Sequence, residues 1–223
     1  MYIVLEGIVG SGKTTQVKRL VEYLSCHSGL VPESRFLHSQ EWHIPKIIHV
    51  REPGSTPIAE DIRALAQGKV WENEIMHPLT NAYLFAAARA QTLETIVKPV
   101  LENGDIVISD RSFLSSCAIQ GEAQGLGIEK ILEINLPIVH GILPDLVLYL
   151  DIDIDLTLSR ISDHWRDKFE REWKQFYEKI IRWYEKCEKL EIMKNRFFRI
   201  DANGSENEVF ERVLVCINSL AQS

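Results

Sequence analysis

The 223-residue chain contains no long hydrophobic run. No apolar stretch approaches the roughly 18 residues that a membrane-spanning helix requires. Met1 leads into a short apolar segment without the basic region and cleavage site of a secretory signal. We therefore expect a cytoplasmic protein without a membrane partner. With 45% hydrophobic and 26% charged residues, residues 1–223 are predicted to form a single domain.

Cysteine is scarce, and positive charge is in deficit. The four cysteines are far apart and form no CxxC pair, so the sequence indicates neither a zinc site nor a disulfide framework. A formal net charge of −7 disfavours a nucleic acid polymer as partner, because such binding depends on a basic surface. A small anionic ligand would have to be bound by cations concentrated at one place.

A glycine-rich segment near the start of the chain carries the strongest functional signal. Residues 7–14 read GIVGSGKT and match the phosphate-binding pattern G-x-x-x-x-G-K-[ST] at every required position. An apolar segment precedes them, and apolar residues with helical spacing follow at Val17, Leu20, Val21 and Leu24. The order of strand, glycine loop and helix predicts a nucleoside triphosphate site.

Each part of this loop has its own chemical role. Glycines permit backbone conformations that turn N–H groups toward phosphate oxygens, and the following helix adds the positive end of its dipole. Lys13 is expected to reach the β and γ phosphates, and the Thr14 hydroxyl is expected to bind Mg²⁺. The predicted nucleotide-binding residues are Gly7, Ile8, Val9, Gly10, Ser11, Gly12, Lys13, Thr14 and Thr15.

Apolar segments alternate with helical patterns along the chain. The predicted strands are residues 2–5, 47–50, 106–108, 146–150 and 197–200. This alternation predicts an α/β fold in which helices cover both faces of a parallel sheet. Helix signals agree with it, because Thr56 precedes Pro57 and residues 205–208 have capping-box spacing. Pro99 is expected to interrupt a helix that ends near Asn103.

One predicted strand ends in Asp110, which Arg111 follows. Because the carboxyl ends of parallel strands face the ligand site, Asp110 is predicted to hold Mg²⁺ or its water shell. Arg111 would then face a phosphate. Asp151, at the end of another strand, is the rival metal ligand, although an N-cap role for the next helix fits it better.

Further arginines stand where an anion could bind. Arg51 ends a strand, Arg89 lies on a helix and Arg166 lies in a charged segment, and each alone is typical of a solvated surface charge. Together with Lys13 and Arg111 they suffice for a triphosphate and a second phosphate. Forked guanidinium groups offset the repulsion between two anions. The set predicts phosphoryl transfer between nucleotides.

Two segments are open to more than one interpretation. Residues 28–45 combine Gly, Pro and Ser with aromatic residues, and we interpret them as a surface excursion, with a partner-binding flap as the alternative. Between Phe169 and Cys187, apolar residues recur at steps of three or four. This stripe indicates a helix face in the core rather than a cofactor site.

Four further blocks occur in order along the chain. They read REPGSTPIAE at residues 51–60, LFAAARAQ at 84–91, DR at 110–111 with SSCAIQG at 115–121, and PDLVLYLD at 144–151. They resemble the patterns REPGGTPxAE, LFAAxRAQ, DRYxxSxxAYQG and PDLxLYLD of the thymidylate kinase family, over nearly the whole chain. The resemblance implies a P-loop nucleoside monophosphate kinase fold, a five-stranded parallel sheet with helices on both faces and a helical lid. It also implies transfer of the γ-phosphate of ATP to dTMP with Mg²⁺, a step of dTTP biosynthesis.

The resemblance assigns roles to residues around the acceptor. Phe85 would stack on the thymine ring, which suits an aromatic face, while Arg89 would hydrogen-bond the edge of the base. A plain core role is the alternative for Phe85. Arg51 and Arg111 would clamp the acceptor phosphate. Ser116 and Gln120 would line the base pocket.

Family members carry a catalytic arginine in the phosphate loop or in the lid, and residues 8–11 contain none. The resemblance therefore implies that the lid, residues 160–170, supplies it. Arg166 would be the catalytic arginine, and Arg160 would be the partner of adenine. Lid closure would also exclude water. A homodimer is implied as well.

Three positions depart from the family pattern. Val9 stands where many relatives carry an acid that contacts the 3′-hydroxyl, Ile119 stands where an aromatic residue guards against a ribose 2′-hydroxyl, and Gln124 replaces a common arginine. A broader range of deoxynucleoside monophosphates is therefore left open. So are a deoxynucleoside kinase with Glu52 as its base and a non-catalytic nucleotide-binding switch without a base pocket.

Overall fold

A five-stranded parallel sheet forms the centre of the fold. The computed structural model describes residues 1–26, 45–68, 74–160 and 166–220. The strands lie in the order β2-β3-β1-β4-β5, and every neighbouring pair is parallel. Their bounds are β1 (Tyr2–Glu6), β2 (Ile47–Arg51), β3 (Ile106–Asp110), β4 (Leu146–Asp151) and β5 (Phe197–Asp201). All five predicted strands are confirmed, each longer by one or two residues at its carboxyl end.

Helices connect the strands. The α-helices are α1 (Lys13–Cys26), α2 (Pro57–Ala66), α3 (Pro78–Thr92), α4 (Lys98–Glu102), α5 (Phe113–Ser116), α6 (Ile128–Val139), α7 (Ile154–Arg160), α8 (Arg166–Cys187) and α9 (Glu206–Leu220). π-helical turns at Leu93–Val97 and Cys117–Ala123 continue α3 and α5, and a short 3₁₀ turn lies at Glu191–Met193. Among the described residues, no helix is long and apolar enough to span a membrane.

Burial of the strands shows that helices cover both sheet faces. Every residue of β1 and β3 is buried, and so are the first five residues of β4. Successive side chains of a strand point to opposite faces, so both faces of these central strands are removed from water. The edge strands β2 and β5 are only partly buried. The core therefore lies on both sides of the three central strands.

Local sequence signals set the helix ends. The Thr56 hydroxyl caps α2 by accepting from the Ala59 N–H at 3.1 Å. Ser205 and Glu208 form the expected capping box, with the Ser205 N–H donating to the Glu208 carboxylate at 2.8 Å. Pro99 follows the π-helical turn at Leu93–Val97, so the long helical run is interrupted just before the proline. The π turn itself was not predicted.

The second half of the α8 stripe belongs to the core. Ile180, Tyr184 and Cys187 are buried, which confirms the core interpretation for these residues, whereas Trp173 is 40% exposed and contradicts it at that position. Tyr184 stacks on Tyr149 of β4 with ring centroids 4.5 Å apart. α8, whose first residues belong to the predicted lid, is therefore fixed to the centre of the sheet. Residues 28–44 and 161–165 lie outside the described part of the chain, so the surface excursion and the lid stay predictions.

Candidate active site

The glycine loop connects β1 to α1 through backbone conformations that favour glycine. Gly7 and Gly10 have φ angles of 145° and 81°. A Cβ at Gly7 would lie 2.7 Å from both the Leu150 carbonyl oxygen and the Ser11 Oγ, so alanine would not fit there without rearrangement. The loop thus packs closely against the end of β4. The predicted nucleotide-binding residues 7–15 all lie in this loop and the first turn of α1.

Lys13 is a buried cation. Its side chain is withdrawn from solvent, and its Nζ donates to the Ile8 carbonyl oxygen at 2.6 Å and to the Ser11 Oγ at 3.2 Å. Burial, followed by repulsion from Arg111, lowers the pKa of Lys13 from 10.5 to about 7. Phosphate oxygens placed beside this group would favour its charged form and oppose that shift.

Thr14 and Asp110 meet at the start of α1. The Thr14 Oγ1 donates to the Asp110 Oδ2 at 2.6 Å, because the register of β1 with β3 places Leu5 opposite Asp110. Magnesium usually binds through one or two carboxylates together with water and phosphate oxygens, so this pair fits such an ion. Within the described ranges, no group of three or more His, Cys, Asp or Glu residues forms a metal site of its own.

Arg111 turns back toward the glycine loop. Its φ of 80° lies in the left-handed region, which costs a non-glycine residue roughly 1–3 kcal/mol. The turn ends β3 and lets the Arg111 Nη1 donate to the Gly7 carbonyl oxygen at 3.1 Å and to the Ser115 Oγ at 3.0 Å. Arg111 therefore lies in the same site as Lys13, whose pKa it lowers.

Asp151, the rival metal ligand, forms an ion pair with a residue of β5. Its carboxylate binds Arg199 of β5, with Oδ2 accepting from the Nε at 2.8 Å. The N-cap interpretation of Asp151 is wrong, because α7 begins only at Ile154. The Asp153 Oδ1 accepts from the Asp155 and Leu156 N–H groups instead, at 2.7 and 3.2 Å.

Arg51 and a second arginine lie beside Asp110. The register of β2 with β3 pairs Arg51 with Asp110, and the Arg51 Nη2 binds the Glu60 carboxylate at 2.7 Å. Arg63, which was not singled out from the sequence, lies one turn after Glu60 on α2 and donates from Nη1 to the Pro53 carbonyl oxygen at 2.6 Å. Burial, then repulsion from Arg51, lowers the pKa of Arg63, and Arg111 acts in the same direction. The three-residue spacing from Glu60 could have indicated Arg63 as a member of this cluster.

Arg89 is almost fully enclosed by protein acceptors. Its Nε binds the Glu52 carboxylate at 2.6 Å, and its Nη1 donates to the Asn135 Oδ1. Its Nη2 donates to the Ser112 carbonyl oxygen at 3.1 Å and to the Ser116 Oγ at 3.3 Å. A guanidinium group has five N–H donors, so the acceptors in the described part of the chain leave one for a ligand. The sequence had marked Arg89 and Ser116, but nothing in the spacing of Asn135 predicted that it contacts Arg89.

Phe85 and Gln120 lie near this enclosure. Phe85 precedes Arg89 by one helical turn, is half-buried, and is not among the described apolar side chains that pack against the core. Gln120 lies four residues after Ser116 and donates from Nε2 to the Asn81 Oδ1 at 2.8 Å. Its Oε1 is buried and has no hydrogen-bond partner in the described part of the chain. An unpaired buried acceptor is costly, which points to a ligand donor.

A cavity of about 520 Å³ opens next to the glycine loop. One wall is the loop with the first turn of α1, and the other is the segment from Ala202 to Val209, where β5 leads into α9. From the sequence, Ser205 is predicted only as a helix cap. A helix that begins soon after a strand could also have indicated a ligand site, because the amino end of a helix at the carboxyl edge of a parallel sheet carries a positive partial charge.

The remaining predicted residues divide between the cleft and the lid. Val9 is 53% exposed at the tip of the glycine loop, whereas Ile119 is partly buried and packs against the core. α7 ends at Arg160 and α8 begins at Arg166, but the side chains of these two arginines lie outside what the structure describes. Their roles stay predictions.

A phosphate loop at the centre of a parallel sheet, with arginines around the neighbouring strand end, is the arrangement of the P-loop nucleoside monophosphate kinases. A protein-family model described as thymidylate kinase matches residues 5–213. Thymidylate kinases of Clostridium novyi and Mesoplasma florum are 39% and 38% identical to this chain, with 95% of the chain covered in both cases and 95% and 92% of the relatives. The crystal structure of thymidylate kinase from Ehrlichia chaffeensis superimposes with a TM-score of 0.74 at 26% identity, over 97% of this chain and 98% of that one. The chain belongs to the thymidylate kinase family.

Proposed function

We propose that this protein transfers the γ-phosphate of ATP to dTMP, giving ADP and dTDP. The observation that carries the proposal is the placement of Lys13 and Arg111 side by side at the glycine loop. Lys13 is buried and Arg111 is partly buried, so the two cations repel each other, and phosphates bound between them would turn that repulsion into attraction. Donor and acceptor phosphates would meet there for direct in-line transfer.

The cations around the loop divide between the two nucleotides. Lys13 serves the donor triphosphate, while Arg51, Arg63 and Arg111 surround the acceptor phosphate.

Thr14 and Asp110 would hold Mg²⁺, which offsets the charge of the donor phosphates when it is bound. Arg166 completes the site from the lid, and Arg160 contacts the adenine ring. The cavity beside α9 takes the adenosine part of ATP.

The base pocket favours a pyrimidine with a 4-carbonyl group. Within the described residues, one N–H of Arg89 has no acceptor and can donate to that carbonyl, and the Gln120 Oε1 has no donor and can accept from the neighbouring N3–H. Cytosine presents the opposite pattern, an amino group beside an unprotonated nitrogen. Phe85 provides a stacking face for the ring.

The buried Glu52 bears on the nucleoside kinase alternative. A nucleoside hydroxyl benefits from a carboxylate base, whereas a monophosphate needs cations instead. Glu52 is held by the Arg89 Nε at 2.6 Å and by the Tyr2 hydroxyl at 3.3 Å. Its oxygens are therefore committed to structural partners, and this supports a phosphate acceptor.

The test is acceptor-dependent release of ADP. The protein is incubated with ATP and Mg²⁺, and dTMP, dUMP, dCMP, dGMP, UMP or thymidine is added in turn. We expect ADP release with dTMP and a kcat/KM for dCMP at least about 10²-fold lower, because a mismatched pair of hydrogen bonds costs about 1–3 kcal/mol or more. Release with thymidine alone would move the assignment to a nucleoside kinase. No release with any acceptor would favour a binding switch.

We further propose that two copies of the chain form a homodimer. Helices α2, α3 and α6 pack in succession, and each leaves one large apolar side chain half or more exposed: Ile58, Tyr83 and Leu136. Repeated in a second copy, these side chains could cover one another across a two-fold axis.

A further inference from the structure

Glu6, the last residue of β1, is a fully buried carboxylate with no part in the function proposed above. Its Oε1 accepts from the Ser112 N–H at 2.8 Å and from the Ser112 Oγ at 2.7 Å. Its Oε2 accepts from the Ser115 Oγ at 2.6 Å and from the Tyr184 hydroxyl at 2.7 Å. Burying a carboxylate is costly unless such donors surround it, so a side chain this completely bonded has a defined position.

These bonds connect three segments that are far apart in sequence. Glu6 directly precedes the glycine loop, Ser112 and Ser115 follow Arg111, and Tyr184 lies on α8, the helix that begins within the predicted lid. Tyr184 also stacks on β4, and burial, with the nearby Glu6, raises the pKa of its hydroxyl, which therefore keeps its proton. The Glu6 carboxylate is therefore the common acceptor for donors from the other two segments.

Ser115 couples this carboxylate to the active site. A serine hydroxyl has one proton and two acceptor positions. Because the Ser115 Oγ donates its proton to Glu6, the lone pairs of this oxygen face away from the carboxylate. One of them accepts from the Arg111 Nη1 at 3.0 Å. Glutamine at position 6 could not reproduce this, because its NH₂ group would oppose either the Ser112 donors or those of Ser115 and Tyr184.

We propose that Glu6 is a positioning residue for phosphoryl transfer, which orients the Arg111 guanidinium group through Ser115 and fixes α8 to the phosphate loop through Tyr184. The inference rests on the proposed function, in which Arg111 binds the acceptor phosphate. Glu6 touches no substrate and acts only through its neighbours.

Two serines provide a matched test. Ser112 and Ser115 both donate to Glu6 from buried hydroxyls, but only Ser115 contacts Arg111. We expect Ser115→Ala to lower kcat/KM for dTMP at least about 10-fold, on the scale of a lost charge-assisted contact. Ser112→Ala should lower the melting temperature at least as much, because the Ser112 Oγ also caps α5 by accepting from the Leu114 N–H at 3.2 Å, and it should change kcat/KM less than about 3-fold. Equal kinetic losses in the two variants would overturn the proposal.

A double-mutant cycle tests whether Glu6 acts through Ser115. If it does, Glu6→Gln combined with Ser115→Ala should lower kcat/KM no further than the worse single variant, whereas independent effects would multiply. If Glu6→Gln does not fold, the serine pair still decides the question. Calorimetric binding of inorganic phosphate to the same variants gives a readout without turnover. Weaker phosphate binding in Ser115→Ala but not in Ser112→Ala supports the positioning role even if dTMP is not the acceptor, and unchanged binding in Ser115→Ala contradicts it.

Discussion

Burial disfavours the charged form of the Lys13 side chain as long as no phosphate is bound beside it. Its pKa of about 7 in the folded protein lies below the ordinary 10.5, so the unfolded chain binds more protons than the folded chain between these two values. Stability should therefore rise with pH across this window. We expect Lys13→Met to be more stable than the wild type at pH 6.5, by up to a few kcal/mol, and this gap to narrow at pH 9.5.

Urea unfolding at the two pH values measures this gap. Lys18→Met is the matched control, because Lys18 lies on the same helix but is exposed. Its stability difference from the wild type should stay nearly constant with pH. If the difference in the free energy of unfolding is constant with pH for Lys13→Met as well, burial does not lower the pKa of Lys13 in the folded protein.

Contiguous motifs made the glycine loop between β1 and α1 predictable, because loop, strand and helix signals lie within one short segment. Asn135 and the contacts of Glu6 were not predictable in this way. Each of them depends on a contact between distant segments, 46 residues apart for Asn135 and Arg89 and 178 residues apart for Glu6 and Tyr184. Such contacts exist only after the sheet has brought the segments together, and no local pattern encodes them.

The glycine loop packs directly on α7, the helix that leads into the predicted lid. A Cβ at Gly10 would lie 3.2 Å from the Thr157 Cγ2, whereas a Cβ at Gly12 would meet nothing within 4 Å. Both glycines have positive φ, at 81° and 88°, so alanine strains the backbone at either position. We expect Gly12→Ala to lower the free energy of unfolding by about 1–2 kcal/mol, and Gly10→Ala to lower it further.

Removing the Thr157 methyl group separates the two effects. Thr157→Ser should recover part of the loss in Gly10→Ala and none of the loss in Gly12→Ala, when unfolding by urea is compared in a double-mutant cycle. Equal recovery in both backgrounds would argue against a direct contact between the loop and α7.

The strands were predictable because buried parallel strands are short, continuous apolar runs. The π-helical turns were not predictable, because their hydrogen bonds span one residue more than those of an α-helix and they carry no apolar period of their own. The helix cap at Asp153 was missed for a related reason. Two acidic residues, Asp151 and Asp153, stand before α7, and the choice between them depends on Arg199 of β5, which takes Asp151 as its partner.

The exposed apolar side chains of α2, α3 and α6 bear on how the full chain assembles. In a two-fold dimer each residue of the interface occurs twice, so one substitution changes both sides. Tyr83 lies on α3, the middle helix of the three, and is 53% exposed. Val215 of α9 is 69% exposed, and α9 packs on α1 and β5 instead. The two residues therefore allow one surface to be tested against another.

We expect the wild type to sediment as a dimer at micromolar concentration. Tyr83→Glu places two carboxylates in the surface that would be covered, so it should raise the dimer Kd at least about 100-fold, or about 2.7 kcal/mol. Val215→Glu should leave the Kd within about 3-fold of the wild-type value, since it adds the same charge to a surface outside the proposed contact. Sedimentation equilibrium over a range of concentrations measures all three proteins. A monomeric wild type, or equal weakening by the two substitutions, would place the contact elsewhere, and the exposed Tyr83 would then be an ordinary surface side chain.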